Sequence, residues 1–355
     1  MRLDFCRAGK RVAAILILLA LLLSGCAAGN STAQPEAAPA ATVAATPVSA
    51  MPATEAAPGT EVPRPTIEAS PTSSPSSVET PGSRLLTPPQ AFDGQRAYED
   101  VNFQVALGPR TPESEAHAQQ VEWMQQELAK NGWVVEVQEF NRLGHTGRNV
   151  IAKRGSGKPW TIIGAHYDSR MRADNDPDAS LRNQPVIAAN DGASGVAVLT
   201  ELSRVLPQDL QGEIWLAFFD LEDQGNLPGW DWILGSRALA ESLKTQPDAV
   251  VIVDMIGDAD LNVYREKNST KSLTDEIWSI ADQLGYAQNI IPEEKWTMID
   301  DHTPFLERGI PAVDMIDFDY PYWHTTQDTA DKVAAQSLKI IGDTVLHWLL
   351  WKHSQ

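Results

Sequence analysis

The chain has 355 residues, a formal net charge of −19 and only two cysteines, Cys6 and Cys26. The negative charge argues against a nucleic-acid partner, because contact with a phosphate backbone needs clustered lysine and arginine. With both cysteines near the N-terminus, a disulfide-stapled fold, a thiolate metal site and a cysteine nucleophile are excluded from the rest of the chain. Stability must therefore come from a hydrophobic core, which a chain of this length can bury.

The first 26 residues have the pattern of an export signal. Positive charges up to Arg11 precede an apolar run over 12–23, and Leu-Ser-Gly stands directly before Cys26, as in a bacterial lipobox. The run is shorter than the roughly 20 residues of a transmembrane helix. We expect residues 1–25 to be a lipoprotein signal peptide and Cys26 to be lipidated. An uncleaved N-terminal anchor is the alternative, and both predict an extracytoplasmic protein held to a membrane.

Residues 26–88 differ in composition from the C-terminal three quarters of the chain. They are almost entirely Ala, Pro, Thr, Ser, Glu and Val, with no aromatic residue up to Pro88. Such a segment buries too little apolar surface to fold, so we expect a disordered tether. Residues 89–355 are expected to form one domain that is monomeric.

Apolar patterns then alternate between helix and strand. A helix is predicted over 113–131, followed by an edge strand over 133–140 whose residues alternate between apolar and polar. Continuous apolar runs predict buried strands over 160–165, 213–219, 249–253 and 311–316. Helices are predicted over 192–206, 273–284 and 330–351. The alternation predicts a three-layer α/β/α fold, with a mixed, mostly parallel central sheet covered by helices on both faces.

Polar side chains of ligand type come after the ends of the predicted strands. They are His166, Asp191, Glu222, Asp223, Asp254 and His324. Each alone has a structural explanation, such as a helix N-cap for Asp191. Together they predict a metal site, because ligands of open α/β sheets bind at the carboxyl ends of the strands. Imidazoles and carboxylates without thiolates favour zinc, with other divalent ions possible, and Glu222 beside Asp223 is placed to act as a general base or acid.

Several ordered motifs carry a family resemblance from about Val101 to the C-terminus. They are Ala106-Leu107-Gly108-Pro109-Arg110, Gly164-Ala165-His166-Tyr167-Asp168-Ser169, Asn190-Asp191-Gly192, Phe218-Phe219-Asp220-Leu221-Glu222-Asp223, Gly235-Ser236-Arg237 and Trp323-His324-Thr325. In these motifs the sequence resembles the zinc-dependent exopeptidase superfamily, which holds both bacterial aminopeptidases and glutaminyl-peptide cyclotransferases.

The resemblance implies a role for each matching residue. Asp191, Asp223 and His324 would hold a first zinc, while His166 and Asp254 would complete a second site with Asp191 as the bridging carboxylate. The resemblance therefore implies one bound zinc ion, or two. Glu222 would be the proton shuttle, and Asp300 would join an acidic hydrogen-bond network with Asp254. Four further residues would bind substrate, namely Trp323, Trp232, Trp230 and Asp314.

The two branches of the superfamily act on the same end of a peptide. An aminopeptidase uses two metals to hydrolyse the first peptide bond, whereas a glutaminyl cyclase uses one zinc to cyclise an N-terminal glutamine. The segment 174–178, Phe218-Phe219-Asp220, Asp300-Asp301-His302 and Trp323 are similar to the cyclase branch. The resemblance thus implies a cyclase acting on peptide or protein N-termini; an aminopeptidase and an inactive metal-containing binding protein are the alternatives.

Overall fold

The computed structural model describes residues 85–355. The predicted signal peptide, the lipidation of Cys26 and the predicted tether up to residue 84 lie outside the described residues. Leu85, the first described residue, packs against the hydrophobic core. Within the described part of the chain, no helix combines the length and apolarity needed to cross a bilayer.

The described chain alternates between helices and strands. The helices are α1 (Gly94–Leu107), α2 (Glu115–Lys130), α3 (Ala193–Val205), α4 (Leu234–Ser242), α5 (Lys271–Gln283), α6 (Thr303–Glu307) and α7 (Ala335–Lys352). The strands are β1 (Val134–Arg142), β2 (His145–Ser156), β3 (Trp160–His166), β4 (Gly212–Phe219), β5 (Ala249–Asp254), β6 (Val263–Arg265), β7 (Ile290–Glu294) and β8 (Ala312–Ile316). Ser114 caps α2, its hydroxyl accepting from the His117 N–H.

Six strands form the central sheet in the order β1-β2-β4-β3-β5-β8. The neighbours β4, β3, β5 and β8 are parallel, while β2 is antiparallel to both β1 and β4. The predicted mixed, mostly parallel sheet is confirmed, as is the position of the first strand at its edge. β6 and β7 form a separate two-stranded sheet.

Both faces of the sheet are buried, which explains the continuous apolar runs of its inner strands. In β5, Val251 and Val253 point into the larger core with α1, α2, α3, α5 and α7, while Val250 and Ile252 point into a smaller core with α4 and α6. The three-layer prediction is therefore confirmed.

Several elements differ from the prediction, since α1, α4, α6, β6 and β7 were not predicted and two further differences have a clear local cause. The sequence does not predict β2, because apolar residues occupy only its centre, around residues 150–152, and polar residues and glycines fill its ends. The single C-terminal helix predicted over 330–351 is wrong at its start. A short 3-10 turn, Ala330–Lys332, comes first, and α7 begins at Ala335.

Candidate metal and active site

Side chains of metal-ligand type lie at or just after the ends of three neighbouring strands, at one edge of the sheet. His166 is the last residue of β3, Asp254 is the last residue of β5, and Glu222 and Asp223 come shortly after the end of β4. Because these strands are parallel, their carboxyl ends meet at the same edge. The loops before α3 and α7 bring Asp191 and His324 to the same place.

Five buried side chains form two overlapping groups of ligand type. The first is His166, Asp191 and Asp254, and the second is Asp191, Asp223 and His324. His166 Nε2 lies 3.0 Å from Asp191 Oδ1 and 3.2 Å from Asp254 Oδ1. His324 Nε2 lies 2.8 Å from Asp223 Oδ1 and 3.7 Å from Asp191 Oδ2. Asp191 therefore stands between the two imidazoles, and the structure brings together the residues singled out as ligands.

The loop that carries Asp191 is held through its backbone. The Asp191 N–H donates to Asp328 Oδ2 at 3.2 Å, and Asp328 also accepts from the Tyr320 hydroxyl at 2.7 Å. Gly192 is required next to Asp191, because a Cβ at that position would lie 2.5 Å from His166 Nε2. The close approach of this backbone to His166 thus allows no side chain.

Glu222 is presented by a strained turn. Leu221 before it has a positive φ of 55°, and the backbone N–H groups of Glu222 and Asp223 donate to the Asp168 carboxylate at 2.9 and 3.3 Å. Burial raises the pKa of Glu222 well above its ordinary value, and the nearby Asp223 carboxylate adds to that effect. A carboxyl group with a raised pKa is suited to taking up and releasing a proton near neutral pH.

Two more residues at this edge have left-handed backbones. Met255, directly after Asp254, has a φ of 47°, and His324 itself has a φ of 56°. Such conformations are unfavourable for residues other than glycine and concentrate at functional sites.

The ligand set opens into a narrow cleft of about 130 Å³. Its floor includes Glu222 and Asp254, and Trp232 and Trp323 form part of its walls. Ile299, 67% exposed, stands at its mouth. Binding sites for larger ligands are typically ~300–1,000 Å³, so the cleft fits a single amino-acid side chain.

Two predicted substrate-binding residues do not line this cleft. Trp230 stacks on His145, with ring centroids 3.5 Å apart. Asp314 is fully buried inside β8, where its nearest ion-pair partner is His302, at 3.9 Å. Trp230 and Asp314 are therefore absent from the lining of this cleft, whereas Trp232 and Trp323 line it.

Acidic residues lie behind the cleft. Asp300 is a buried lining residue, and its charge adds to the effect of burial on Asp254, whose pKa is raised to about 7. Burial raises the pKa of Asp314 well above its usual value, with Asp300 and Asp254 adding to the effect. Asp254 and Asp314 therefore both favour their protonated forms, with the Asp300 carboxylate close to each of them.

The charge of His166 is set by its neighbours. Burial lowers the pKa of this imidazole, but the carboxylates of Asp254, Asp168 and Asp191 overcome that effect and raise it well above the ordinary value.

Glu266 is an anion at the back of the acidic network. Its carboxylate accepts from the N–H groups of Ser269 (2.7 Å) and Met298 (2.9 Å) and lies 3.3 Å from His302 Nε2. Burial alone would raise its pKa, but His302 and the backbone N–H groups lower it to about 2.

Glu266→Gln is expected to lower stability at neutral pH and to lose this effect in acid. Because the folded-state pKa is depressed, the stabilisation by Glu266 is present above the unfolded value of about 4.5 and disappears as pH falls toward 2. Thermal unfolding of both proteins between pH 7 and pH 2 measures the difference. Glu293→Gln, on exposed β7, is the control and should match wild type throughout; a Glu266→Gln deficit that persists unchanged at pH 2 contradicts the expectation.

Three site residues were not predicted from the sequence. Asp168 holds the Glu222 turn, Asp328 holds the Asp191 loop, and Arg170 donates to the Asp223 carbonyl at 2.9 Å. Asp168 and Arg170 could have been predicted as site residues, because they come just after the end of β3, where the ligand residues also lie. Asp328 gave none, because it lies in a polar loop between two elements.

Comparisons with known proteins agree with this geometry. Residues 149–349, more than half of the chain, match peptidase family M28. A glutaminyl-peptide cyclotransferase of Drosophila melanogaster is 26% identical over 267 residues, covering 64% of this chain and 72% of the relative. The sequence is therefore similar both to a peptidase family and to a cyclotransferase.

Two solved structures are similar over nearly their whole length. The glutaminyl cyclase of Bacteroides thetaiotaomicron, bound to N-acetylhistamine, has a TM-score of 0.69 and 29% identity, covering 74% of this chain and 98% of that protein. A Zn-dependent exopeptidase from Parabacteroides distasonis has a TM-score of 0.68 and 30% identity, covering 74% and 99%. The family resemblance found in the sequence is confirmed.

Proposed function

Because the chain belongs to peptidase family M28, we propose that it is a glutaminyl-peptide cyclotransferase, which converts the N-terminal glutamine of a peptide to pyroglutamate and releases ammonia. The observation that carries the proposal is the position of buried Glu222 beside Asp191, Asp223 and Trp323 in a cleft of one-residue size. The cyclotransferase relative and the similar cyclase structure support it.

Zinc fits the side chains of this site. Asp191 Oδ2 and Asp223 Oδ2 are buried without a hydrogen-bond partner, which is unfavourable unless a cation or proton satisfies them. Asp191, Asp223 and His324 offer two carboxylates and an imidazole within 4.8 Å of one another, a donor set that suits zinc. When bound there, zinc would supply a Lewis acid toward the γ-amide carbonyl of glutamine.

Glu222 moves the proton in the proposed reaction. The α-amine of the substrate attacks the γ-amide carbon, and Glu222 accepts the proton that the amine loses. The same proton passes to the amide nitrogen, which leaves as ammonia, so the carboxyl group ends unchanged. The raised pKa of Glu222 supports both halves of this transfer.

The remaining cleft residues contact the substrate side chain and place further carboxyl groups beside Glu222. Trp232 and Trp323 provide apolar walls for the glutamine side chain. Asp254 and Asp300 line the cleft together with Glu222, and the pKa of Asp254 is raised to about 7 by burial. Peptide N-termini are the substrates that this arrangement admits.

A zinc aminopeptidase is the second candidate. The group of His166, Asp191 and Asp254 offers ligand atoms for a second cation with Asp191 shared, as a two-metal hydrolase needs. The similar Zn-dependent exopeptidase adds support. The two candidates differ in metal count and in the bond that breaks.

Substrate assays separate the candidates. We expect the full chain, purified in mild detergent with zinc, to release one ammonia from peptides with N-terminal glutamine and to leave the peptide bonds intact by mass spectrometry. The same peptide with an acetylated α-amine is the control and should not react. Free amine from amino-acid anilides, without pyroglutamate from glutamine peptides, would overturn the proposal in favour of the aminopeptidase.

The export pattern of the N-terminus supports an extracytoplasmic enzyme anchored through lipid on Cys26. Replacing Cys26 with Ala is expected to abolish labelling of the protein by a fatty-acid analogue, because the thiol that carries the lipid is lost. Metabolic labelling of cells that express each protein measures this. Absence of label in the wild-type protein would favour the uncleaved anchor.

A further inference from the structure

Arg170 is a buried cation next to the ligand set, and only 1% of it is exposed. Its guanidinium makes a bidentate pair with Asp174, with Nε–Oδ1 at 2.7 Å and Nη2–Oδ2 at 2.6 Å. Its other donors reach the backbone carbonyls of Asp223 at 2.9 Å and Gly225 at 3.1 Å. One side chain therefore joins the segment after β3 to the segment after β4.

Asp174 continues this connection to His324. Asp174 Oδ1 lies 3.6 Å from His324 Nδ1, the ring nitrogen that faces away from the other ligand residues. The N–H of Asn175 also donates to the His324 carbonyl at 3.1 Å. Since His324 Nε2 faces Asp223 at 2.8 Å, the contacts form a closed ring of Arg170, Asp174, His324 and Asp223.

The same guanidinium also contacts a wall of the cleft. It lies over the ring of Trp232, 5.1 Å from the centroid, and Trp232 is stacked at 15° on His324 with centroids 6.0 Å apart. A buried cation over an indole face is attractive and favours one ring orientation. The ring of contacts thus includes both a pair of ligand residues and a substrate-facing side chain.

We propose that Arg170 and Asp174 form a positioning pair that fixes the Asp223–His324 ligand pair and the Trp232 wall together. A carboxylate facing the outer nitrogen of a ligand imidazole orients the ring and raises its basicity, and losing such a partner typically costs ~10–100-fold in metal affinity. The zinc-affinity part stands on geometry alone, while the substrate part rests on the proposed function.

The guanidinium geometry is essential to this role. Arg170 uses four contacts in different directions, two to one carboxylate and two to carbonyls. A lysine keeps the charge but offers a single ammonium point that cannot make the planar bidentate pair. Arg170→Lys therefore keeps the positive charge and removes the guanidinium contacts, so it tests the contribution of the contacts separately from that of the charge.

The experiment compares Arg170→Lys and Asp174→Asn with Arg204→Lys in the full-length protein. Arg204 makes a similar bidentate pair with Asp100, at 2.5 and 3.0 Å, between α3 and α1 and away from the cleft. Zinc affinity is measured by competition with a chelating dye, and thermal unfolding of the metal-free proteins is measured in parallel. Arg170→Lys and Asp174→Asn should each bind zinc about 10-fold or more weakly.

Arg204→Lys should lower thermal stability without weakening zinc binding. At saturating zinc, Arg170→Lys should also raise KM for a glutamine peptide, because a lysine ammonium cannot make the contacts that hold the planar guanidinium over the Trp232 ring, whereas Asp174→Asn should leave KM near wild type. Zinc affinities of both site variants within twofold of wild type overturn the inference, as does an equal loss in Arg204→Lys. If the zinc results hold but no variant or wild type cyclises glutamine, the proposed function fails and the positioning role stands.

Discussion

Glu222→Gln is expected to lower kcat for cyclisation by about 10²- to 10⁴-fold while zinc binding stays at the wild-type level. Glutamine has nearly the same shape as glutamate but cannot accept and return a proton. Glu222 belongs to neither ligand group, so its replacement removes proton transfer and no metal ligand. Kinetic assays with a glutamine peptide and metal analysis of the same sample measure both quantities.

Glu139→Gln is the matched control for this substitution. Glu139 lies on the exposed edge strand β1, so the same chemical change there should leave kcat and zinc content unchanged. A Glu222→Gln protein that keeps more than about a tenth of wild-type kcat contradicts the proton-shuttle role, since proton transfer contributes at least about 10²-fold. A loss of zinc in Glu222→Gln would show instead that this carboxylate supports the ligand set.

Asp191→Asn is expected to reduce zinc affinity more than any other single ligand change, by more than about 100-fold, and to abolish activity with it. Replacement of residues that only support ligands costs ~10–100-fold, and Asp191 belongs to both ligand groups. Asparagine also lacks the negative charge of aspartate, which attracts a zinc ion strongly in a buried site. Dye competition and activity at saturating zinc measure the effect.

His166→Ala provides the comparison, because His166 belongs to only one of the two groups. A one-zinc enzyme should keep its metal in this variant, whereas a two-zinc enzyme should lose one of two equivalents. Asp260→Asn, in an exposed loop, should bind zinc as wild type does. Undiminished zinc affinity in Asp191→Asn would remove the central residue of the proposed site.

The sequence predicts most of the sheet because buried parallel strands have a strong local pattern. β3 and β5 are apolar at almost every position and end in a ligand-type residue, so His166 and Asp254 could be placed at the sheet edge. β2 could not be found this way. Its polar ends become a strand only through pairing with β1 and β4, which is tertiary information.

The choice between Trp230 and Trp232 depends on loop conformation. The two residues stand in one irregular segment that ends with Ile233 in a left-handed conformation, φ 57°. Trp232 consequently faces His324, while Trp230 turns to His145. Such a loop conformation cannot be predicted from the hydrophobic periodicity or the composition of the segment. Asp314 is a similar case, because the family resemblance gives its position in the chain but does not show that its carboxyl group is buried inside β8 and away from the cleft lining.

The left-handed residues Leu221, Met255 and His324 have a consequence for attempts to make this enzyme heat-resistant. Each such conformation costs about 1–3 kcal/mol, so a glycine at Leu221 or Met255 would relax the backbone and look attractive on stability grounds. The glycine would also make the backbone next to Glu222 or Asp254 more flexible, so that these carboxyl groups would no longer be held in place. Thermostabilising libraries should therefore leave these positions unchanged and draw their gains from surface helices, such as α2, where no reacting group depends on the backbone.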